Sequence, residues 1–182
     1  MMQRVVVRGT SGSGKTTFAA ALAACLGVPH VELDALFHQA GWRPRPVEDF
    51  RAEVAATTAG DRWVVDGNYA AVQDDLRARA DTVVWLDLPR WLVTRRVLWR
   101  TVMRGVMRQE LWNGNRESLA SLVRRDPEHN IVAWSWTSWP RRHAEAVADS
   151  SGSGPDHLTV VRLTSPSGTA TFLDAVAGVA VR

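Results

Sequence analysis

The residues with the clearest capacity for chemistry form one loop near the start of the chain, residues 9–16, with the sequence GTSGSGKT. Glycine lets a backbone bend so that several N–H groups point into one concavity, and a following helix adds the positive charge of its N-terminus. Lys15 adds a mobile ammonium group, and the hydroxyl of Thr16 is a ligand suited to Mg²⁺. The spacing G-x-x-x-x-G-K-[ST] therefore predicts a loop that holds phosphate groups.

The surroundings of this loop strengthen the prediction. Strand-like RVVVR precedes it, and the helix-forming TTFAAALAACL that follows ends at Gly27. Lys15 is the only lysine among 22 basic residues, and a planar guanidinium is a poor substitute for a compact ammonium between phosphates. SGSG recurs at 151–154 before a proline, where it is typical of a turn or linker. We expect bound phosphates to contact Gly9, Ser11, Gly12, Ser13, Gly14, Lys15, Thr16 and Thr17.

Strand-like and helix-like segments alternate along the rest of the chain. This alternation predicts an α/β fold with a parallel sheet and helices on both faces, and a ligand site at the carboxyl ends of the strands. The pattern of IVAWSWTSW allows either a helix or a strand. Further strands are predicted at 29–34, 62–67, 81–89 and 157–163, and further helices at 47–60, 71–80, 91–107 and 169–181.

Composition indicates an ordinary globular chain. With 182 residues and 46% hydrophobic residues, we expect one domain over residues 1–182, with a mobile lid-like insertion at about 104–140. A single cysteine, Cys25, excludes an intrachain disulfide and fits a reducing cytoplasm. No segment approaches the ~20 apolar residues of a membrane span, and the N-terminus does not have the pattern of a signal peptide.

Positive charge is concentrated in one segment. The net charge is +3, but residues 90–142 carry +7 and the remainder −4. Arginines at 96, 100, 104 and 108 recur every four residues on one helical face, although like charges at this spacing oppose a helix by roughly 0.2–0.5 kcal/mol per pair. Bound phosphate would offset that cost, whereas Arg104 and Arg108 also fit a solvated face.

Two classes of phosphate-loop protein are disfavoured by the sequence. A GTPase usually recognises guanine with Asn-Lys-x-Asp, but the only lysine is already in the loop. A mechanical ATPase typically places Asp-Glu after an apolar strand, and neither VVDGN nor WLDLP has the glutamate. A small phosphotransferase needs the loop, a metal-holding carboxylate, arginines and an acceptor pocket, and candidates for each are present.

Several segments together resemble the adenylate-kinase-related P-loop kinases, and specifically the group known as DNA topology modulation proteins. They are the loop with its helix through VELDALF, then WVVDGNY, ADTVVWLDLPRWLVTRRVLWRT, ELWNGNRESL and VVRLTSPSGTATFL. The resemblance implies a P-loop NTPase fold with a five-stranded parallel sheet and a helical lid. It also implies transfer of the ATP γ-phosphate, with Mg²⁺, to a nucleotide, nucleoside or related small metabolite.

The resemblance also suggests roles for single residues. Asp66 is similar to the aspartate that holds Mg²⁺ through water in adenylate kinases, with Thr16 as the other metal ligand, although Asp-Gly is also a common turn pair. Arg96 and Arg100 match two arginines that face adenine and the phosphates. Lys15, Asp34, Arg96 and Arg100 are the expected catalytic residues. Arginines from the lid could neutralise the transition state, with Arg116, Arg141 and Arg142 as candidates.

The acceptor is the least determined part of the sequence. Asp34, with Glu32 two residues before it, would orient or deprotonate an acceptor hydroxyl at the end of its strand, or would instead cap the next helix. Arg43 and Tyr69 are further acceptor candidates. Residues 66–69 read DGNY where adenylate kinases have DGFPR, so the arginine that helps to hold the phosphate of a mononucleotide acceptor is missing. Either Arg43 or Arg45 replaces it, or the acceptor is an uncharged hydroxyl compound with Asp34 as the base.

Several aromatic residues, and the Arg-rich segment, each allow two interpretations. His38 and Trp42 could line the acceptor pocket or belong to a Pro-rich surface loop, and tryptophans such as Trp112 could contact the acceptor or only anchor packing. A competing function is a nucleic-acid-associated regulator whose Arg-rich residues 90–142 bind phosphate backbones, with nucleotide as a switch.

Overall fold

The valine run before the glycine-rich loop forms the central strand of the sheet. The computed structural model describes residues 2–107, 110–115, 131–151 and 157–180. Val5, Val6 and Val7 are at most 3% exposed, as expected for a strand covered on both faces. The strands are β1 (Arg4–Gly9), β2 (His30–Glu32), β3 (His38–Gln39), β4 (Arg43–Pro44), β5 (Trp63–Asp66), β6 (Thr82–Leu86) and β7 (Thr159–Leu163). The helices are α1 (Lys15–Leu26), α2 (Leu33–Phe37), α3 (Val47–Thr57), α4 (Ala70–Arg79), α5 (Arg90–Met107), α6 (Ile131–Ser150) and α7 (Pro166–Ala180).

Five strands form one parallel sheet in the order β2-β5-β1-β6-β7. Val6 of β1 pairs with Val65 of β5 on one side and with Val83 of β6 on the other. Because all strands are parallel, their carboxyl ends lie at the same edge, with the glycine-rich loop at the centre. The predicted five-stranded α/β sheet is confirmed.

Hydrophobic cores on both faces hold the helices to the sheet. On one face, Phe18 and Leu22 of α1 pack with Val176 of α7. On the other face, Phe50 of α3 and Leu76 of α4 pack on the sheet. Burial of a Leu or Phe side chain contributes roughly 1.5–3 kcal/mol, so these contacts fix the strand ends relative to the helices.

The segment with an ambiguous pattern is helical, within α6. Ser135 and Ala146 are fully buried, and Trp139 packs on the small core of Leu88, Leu92 and Val93. These buried positions recur with a helical rather than a two-residue period. The predicted lid at about 104–140 includes residues 108–109 and 116–130, which lie outside the described residues.

The second strand is shorter than the sequence predicts. β2 ends at Glu32, and α2 begins at Leu33, so Asp34 lies in a helix rather than at the end of a strand. Leu33 is 1% exposed, and a Cβ on Gly67 would lie 2.7 Å from the Cβ of Leu33. The chain turns early because Leu33 is buried against the backbone that follows β5.

Two further features bear on the predictions from composition. Cys25 is free and half-buried in α1, where it packs against the core between α1 and the sheet. Within the described ranges, no helix has the length and apolar character needed to cross a membrane.

Candidate functional site

The glycine-rich loop turns tightly between β1 and α1. The N–H of Ser13 donates to the carbonyl of Thr10 at 3.1 Å, and the N–H of Phe18 donates to the carbonyl of Gly14 at 2.9 Å. Gly14 has left-handed backbone angles, and α1 begins at the next residue, Lys15, with no acidic residue in its first turn. The positive end of the helix therefore lies at the loop without a neighbouring carboxylate from its own first turn.

Contacts from α5, from α6 and from the turn after β5 hold the loop in place. Gly12 packs directly on α5, where a Cβ would lie 2.3 Å from the carbonyl oxygen of Val93, and its φ is +85°. The hydroxyl of buried Ser135 in α6 donates to the carbonyl of Ser11 at 3.2 Å. The amide of Asn68 donates to the carbonyl of Gly9 at 2.6 Å. The loop is thus preformed by contacts from distant parts of the chain.

A cavity of about 650 Å³ runs along the carboxyl edge of the sheet from β2 to the start of α7. Residues predicted from the sequence to bind phosphate or acceptor form much of its wall. Glu32 and Trp112, whose contact with an acceptor the sequence left open, also line it. The lining residues are Gly12, Ser13, Gly14, Lys15, Thr16, Thr17, Phe18, Ala21, Glu32, Asp34, Leu86, Arg96, Arg100, Arg104, Trp112, Thr169, Ala170 and Leu173.

One wall of the cavity is a row of guanidinium groups on α5. Arg96, Arg100 and Arg104 all line it, and Nη1 of Arg96 donates to the carbonyl of Ser13 at 3.4 Å. The four-residue spacing puts them on the helical face that meets the loop. Arg104 therefore faces the cavity, whereas Arg108 lies outside the described residues.

A buried carboxylate lies beside the first turn of α1. Asp66 ends β5 and is 1% exposed. Its Oδ2 accepts a hydrogen bond from the Thr16 hydroxyl at 2.7 Å, and its Oδ1 lies 2.8 Å from Nε2 of His30. Oxygen donors of this kind suit Mg²⁺, which commonly takes one or two protein ligands and completes its shell with phosphate oxygens and water. The described residues contain no cluster of three His, Cys, Asp or Glu that could hold a metal ion.

Asp34 is oriented by Tyr69, the N-cap residue of α4. The Tyr69 hydroxyl donates to Oδ1 of Asp34 at 2.6 Å and lies 3.3 Å from Nε2 of His38. Burial, and then the charge of Asp34, raise the pKa of Tyr69 far above its ordinary value, so the phenol keeps its proton. Burial lowers the pKa of His38. Glu32, not Asp34, occupies the N-cap position of α2, and no side-chain cap bond is formed there.

Glu32 is a second carboxylate at the same end of the cavity. The indole N–H of Trp112 donates to it. Burial is the main cause that raises the pKa of Glu32, and the charges of Asp66 and Asp34 raise it further. The sequence contained one signal for this residue, its two-residue spacing from Asp34, but no signal for its contact with Trp112.

A short helical turn, Trp112–Gly114, attaches to the loop that follows α2. The amide of Asn113 donates to the carbonyl of His38 at 2.6 Å. The rings of Trp112 and His38 are stacked, with 6.1 Å between their centroids and an interplanar angle of 22°. Trp42 packs edge-on against both rings. These aromatic residues therefore support the wall that Trp112 contributes to the cavity.

Other predicted arginines lie away from the cavity. Arg43 is exposed and its Nε donates to the carbonyl of Ala40 at 3.3 Å, while Arg45 pairs with Glu53 at 3.1 Å. Arg141 and Arg142 pair with Glu145 at 3.8 and 3.3 Å, and border a separate depression of about 400 Å³. Arg116 lies outside the described residues.

Gly9, Ser11, Asp66 and Tyr69 are also absent from the cavity wall, and Asp66 is linked to it through its hydrogen bond with Thr16. Gly9 and Ser11 act within the loop, through the carbonyl contacts described above. Tyr69 meets the cavity through Asp34. Trp112 lines this cavity, whereas Trp139 packs on the core of Leu88, Leu92 and Val93. Trp134 and Trp136 are 39% and 46% exposed and are not part of the cavity wall.

Comparison with known proteins identifies the class of fold. No protein-family model matches the chain, and no curated protein sequence does. Among solved structures, a gluconokinase from Sinorhizobium meliloti 1021 matches with a TM-score of 0.52 and 20% identity, over 99% of this chain and 92% of that one. A shikimate kinase from Bacteroides thetaiotaomicron matches with a TM-score of 0.54 and 13% identity, over the whole of both chains.

At these low identities the likeness establishes the fold alone. The chain has the same α/β fold as these two kinases, with a five-stranded parallel sheet, and the glycine-rich loop lies between β1 and α1 as predicted.

Proposed function

We propose that the protein is an ATP-dependent phosphotransferase that passes the γ-phosphate of ATP to a hydroxyl group of a small molecule. One observation carries the proposal. A single cavity contains the loop with Lys15 and the arginines of α5, and also two carboxylates, Glu32 and Asp34. Phosphoryl transfer requires positive charge around the transferred group and an acceptor held in line, and both sets of groups face the same space.

The order of the strands supports an assignment of the two substrates to opposite ends of the cavity. β2, which precedes Asp34, lies at one edge of the sheet, and β7, which precedes α7, lies at the other, with β1 and the loop between them. We place the ATP base near Ala170 and Leu173 of α7 and its phosphates along the loop. The acceptor then lies at the Glu32 and Asp34 end, with the γ-phosphate between the two.

Each loop residue has a stated part in this proposal. Backbone groups of residues 9–17 cradle the phosphates, and Lys15 neutralises the β- and γ-phosphates. Arg96 and Arg100 contact the phosphates from α5, on the wall that also carries Arg104. Thr16 and Asp66 fit a magnesium ion, the former through its hydroxyl and the latter through water. When bound, Mg²⁺ would neutralise phosphate charge.

The chemical step follows from this arrangement. The acceptor hydroxyl oxygen forms a bond to the γ-phosphorus while the bond from phosphorus to the β,γ-bridging oxygen breaks, and that electron pair stays on ADP. The hydroxyl proton passes to the carboxylate of Asp34, whose position is held by the Tyr69 hydrogen bond at 2.6 Å. Tyr69 is thus a positioning residue. Arg43, which lies outside the cavity, has no part in this step.

We further propose membership of the group known as DNA topology modulation proteins, because segments VELDALF, VVDGNY and LWNGNRES occur in order. In the structure, residues of these three segments meet at the acceptor end of the cavity, as Glu32, Tyr69 and Trp112 illustrate. A reducing cytoplasm, where ATP is abundant, fits the lone Cys25.

The first test separates binding from transfer. Calorimetric titration with MgATP should give binding for the wild type and none for Lys15→Ala, and equal binding by both would refute the loop assignment. A transfer screen with γ-labelled ATP against nucleosides, nucleotides and small metabolites then tests the reaction. If no compound gains label above the hydrolysis background, the protein is not a kinase of these compounds.

A second candidate function rests on the outer surface of α5 and α6. Trp91 and Trp99 are 62% and 66% exposed. The Arg95 guanidinium lies 5.7 Å from the Trp91 ring, and that of Arg90 lies 3.6 Å from the Trp136 ring. Exposed aromatic rings interleaved with arginine are typical of surfaces that bind single-stranded nucleic acid. Binding of an oligonucleotide that weakens steeply with salt would support this function, because neutralised phosphates release counterions.

A further inference from the structure

The acceptor end of the cavity is negatively charged. Glu32 and Asp34 both line it, and the charges of Asp34 and Asp66 both act on Glu32. In the described part of the chain, the cations that line the cavity belong to the loop and to α5: Lys15, Arg96, Arg100 and Arg104. A phosphate or carboxylate on the acceptor would therefore lie beside two carboxylates, and like-charge contacts of this kind are strongly unfavourable.

An aromatic side chain, Trp112, also lines this end of the cavity. Trp112 donates its indole N–H to Glu32 and stacks on His38. Asn113 fixes this turn through its hydrogen bond to the His38 carbonyl. An indole held by Glu32 and His38, on a turn fixed by Asn113, provides a surface on which a base or the apolar face of a sugar ring can stack.

The two carboxylates are suited to hydroxyl groups. Tyr69 donates to Oδ1 of Asp34 and so sets the orientation of its carboxylate, while the Glu32 carboxylate is oriented by Trp112. Ionised carboxylates only accept hydrogen bonds, and hydroxyl groups can donate to them. Two oriented carboxylates beside a ring face match a compound with more than one hydroxyl group on a ring.

From this combination of charge, ring face and acceptors, we infer that the phosphoryl acceptor is an uncharged ring compound with several hydroxyl groups, such as a nucleoside or free sugar. Compounds already carrying a phosphate or carboxylate are selected against. This inference rests on the proposed function, because it concerns the acceptor end of the same cavity. It specifies the acceptor class that the phosphotransfer proposal leaves open.

The test compares matched pairs of acceptors. With Mg²⁺ and a non-hydrolysable ATP analogue bound, calorimetry measures affinity for a nucleoside against its 5′-monophosphate, and for glucose against glucose 6-phosphate and gluconate. We expect the uncharged member to bind at least roughly tenfold more tightly, and the nucleoside and sugar arms distinguish the two sources. Tighter binding of the charged members, or no binding of any member, would overturn the inference.

Variants test the two structural reasons separately. Glu32→Gln should reduce the preference for uncharged acceptors by roughly tenfold, whereas Glu48→Gln, on the exposed start of α3, should leave it unchanged. Trp112→Ala should weaken the binding of uncharged acceptors, whereas Trp134→Ala, which changes a residue outside the cavity, should leave their binding unchanged. An unchanged preference in Glu32→Gln, with the fold intact by circular dichroism, contradicts the electrostatic argument.

The outcomes also separate this inference from the proposed function. If MgATP binds in a Lys15-dependent manner and label passes chiefly to phosphorylated or acidic compounds, the phosphotransferase proposal stands and the acceptor inference fails. If MgATP does not bind, or binds equally to Lys15→Ala, the proposed function itself fails.

Discussion

The hydroxyl of Thr16 donates a 2.7 Å hydrogen bond to Oδ2 of Asp66, a residue 50 positions later in the chain. The pairing of β1 with β5 makes this contact possible, since Val7 is opposite Asp66 in the register. The carboxylate is 1% exposed and is also bonded to His30. One hydroxyl and one buried carboxylate therefore meet beside the loop that we propose binds ATP.

Asp66→Asn should reduce the contribution of Mg²⁺ to ATP affinity. Residues that hold a metal through water typically change metal affinity by about 10–100-fold when replaced. We expect the ratio of ATP affinities with and without Mg²⁺, measured by titration calorimetry, to fall by at least roughly tenfold. Asp87→Asn is the matched control, because Asp87 is also a buried carboxylate but pairs with Arg162 and His143. A similar loss in Asp87→Asn would contradict the magnesium assignment.

Lys15→Arg should not restore the activity lost in Lys15→Ala. Both variants are expected to lower the transfer rate by roughly 10²–10³, the effect typical of losing one donor to a charged transition state. Arginine keeps the charge, but its planar guanidinium is larger and has a different geometry. The measurement is the single-turnover rate with γ-labelled ATP. A Lys15→Arg rate close to that of the wild type would show that charge alone is required.

Gly12→Ala should disturb both stability and nucleotide binding. Its Cβ would lie 2.3 Å from the carbonyl oxygen of Val93, and the backbone is left-handed with φ +85°. Backbone strain of this kind costs about 1–3 kcal/mol, and the steric overlap adds to it. Urea unfolding measures the loss. The control is Gly60→Ala, since a Cβ there meets nothing within 4 Å, and an equal loss in both variants would argue against close packing of the loop on α5.

Glu32 should give stability a dependence on pH that a glutamine removes. Burial raises the pKa of its carboxyl above the ordinary value of 4.5. A raised folded-state pKa means that the folded protein favours the protonated carboxyl. The contribution of this group to stability is therefore fully present below pH 4.5 and is lost as pH rises through the folded-state pKa. The free energy of unfolding of Glu32→Gln, taken relative to that of the wild type, should therefore be larger at pH 7 than at pH 4, as measured by urea unfolding.

The exposed Glu48 supplies the comparison for this experiment. Glu48→Gln removes the same charge from the start of α3, on the protein surface, where ionisation carries no burial penalty. If the change in stability relative to the wild type differs between pH 4 and pH 7 by the same amount in both variants, burial of Glu32 is not the cause of the pH dependence.

Tyr69→Phe should slow transfer without changing MgATP affinity. The variant removes the hydroxyl that donates to Asp34 and leaves the ring packed between Phe37 and Phe50. A hydrogen bond to a charged group contributes about 1.5–3 kcal/mol, so a rate loss of roughly tenfold or more is expected. Single-turnover rates and calorimetry separate the two effects. Weaker MgATP binding with an unchanged rate would show that Tyr69 does not act through Asp34.

The elements with strong local signals were predicted from the sequence. The order of β1, the loop and α1 followed from a valine run, three glycines and a stop signal at Gly27, which has the left-handed angles typical of a helix end. The arginine face of α5 followed from four-residue spacing, because helical geometry alone puts such residues together. These features depend on neighbours within a few turns of the same segment.

The acceptor end could not be predicted in the same way. The expected strand through Asp34 ends two residues earlier, since Leu33 is buried under Gly67, and this packing involves residues far apart in sequence. The contact of Glu32 with Trp112 joins residues on separate elements. Arg43, an acceptor candidate that could have replaced the missing arginine, is exposed and lies outside the cavity.

The sequence by itself determined the phosphate-binding loop motif, the alternation of strands and helices, and the helical face that carries Arg96 and Arg100. Each depends on glycine flexibility, hydrogen-bonded periodicity or hydrophobic spacing within one segment. Only the tertiary structure decided that Thr16 meets Asp66, that Tyr69 orients Asp34 and that Trp112 joins Glu32. The physical reason is that these contacts depend on strand order and packing between distant elements, for which residue spacing along the chain carries no signal.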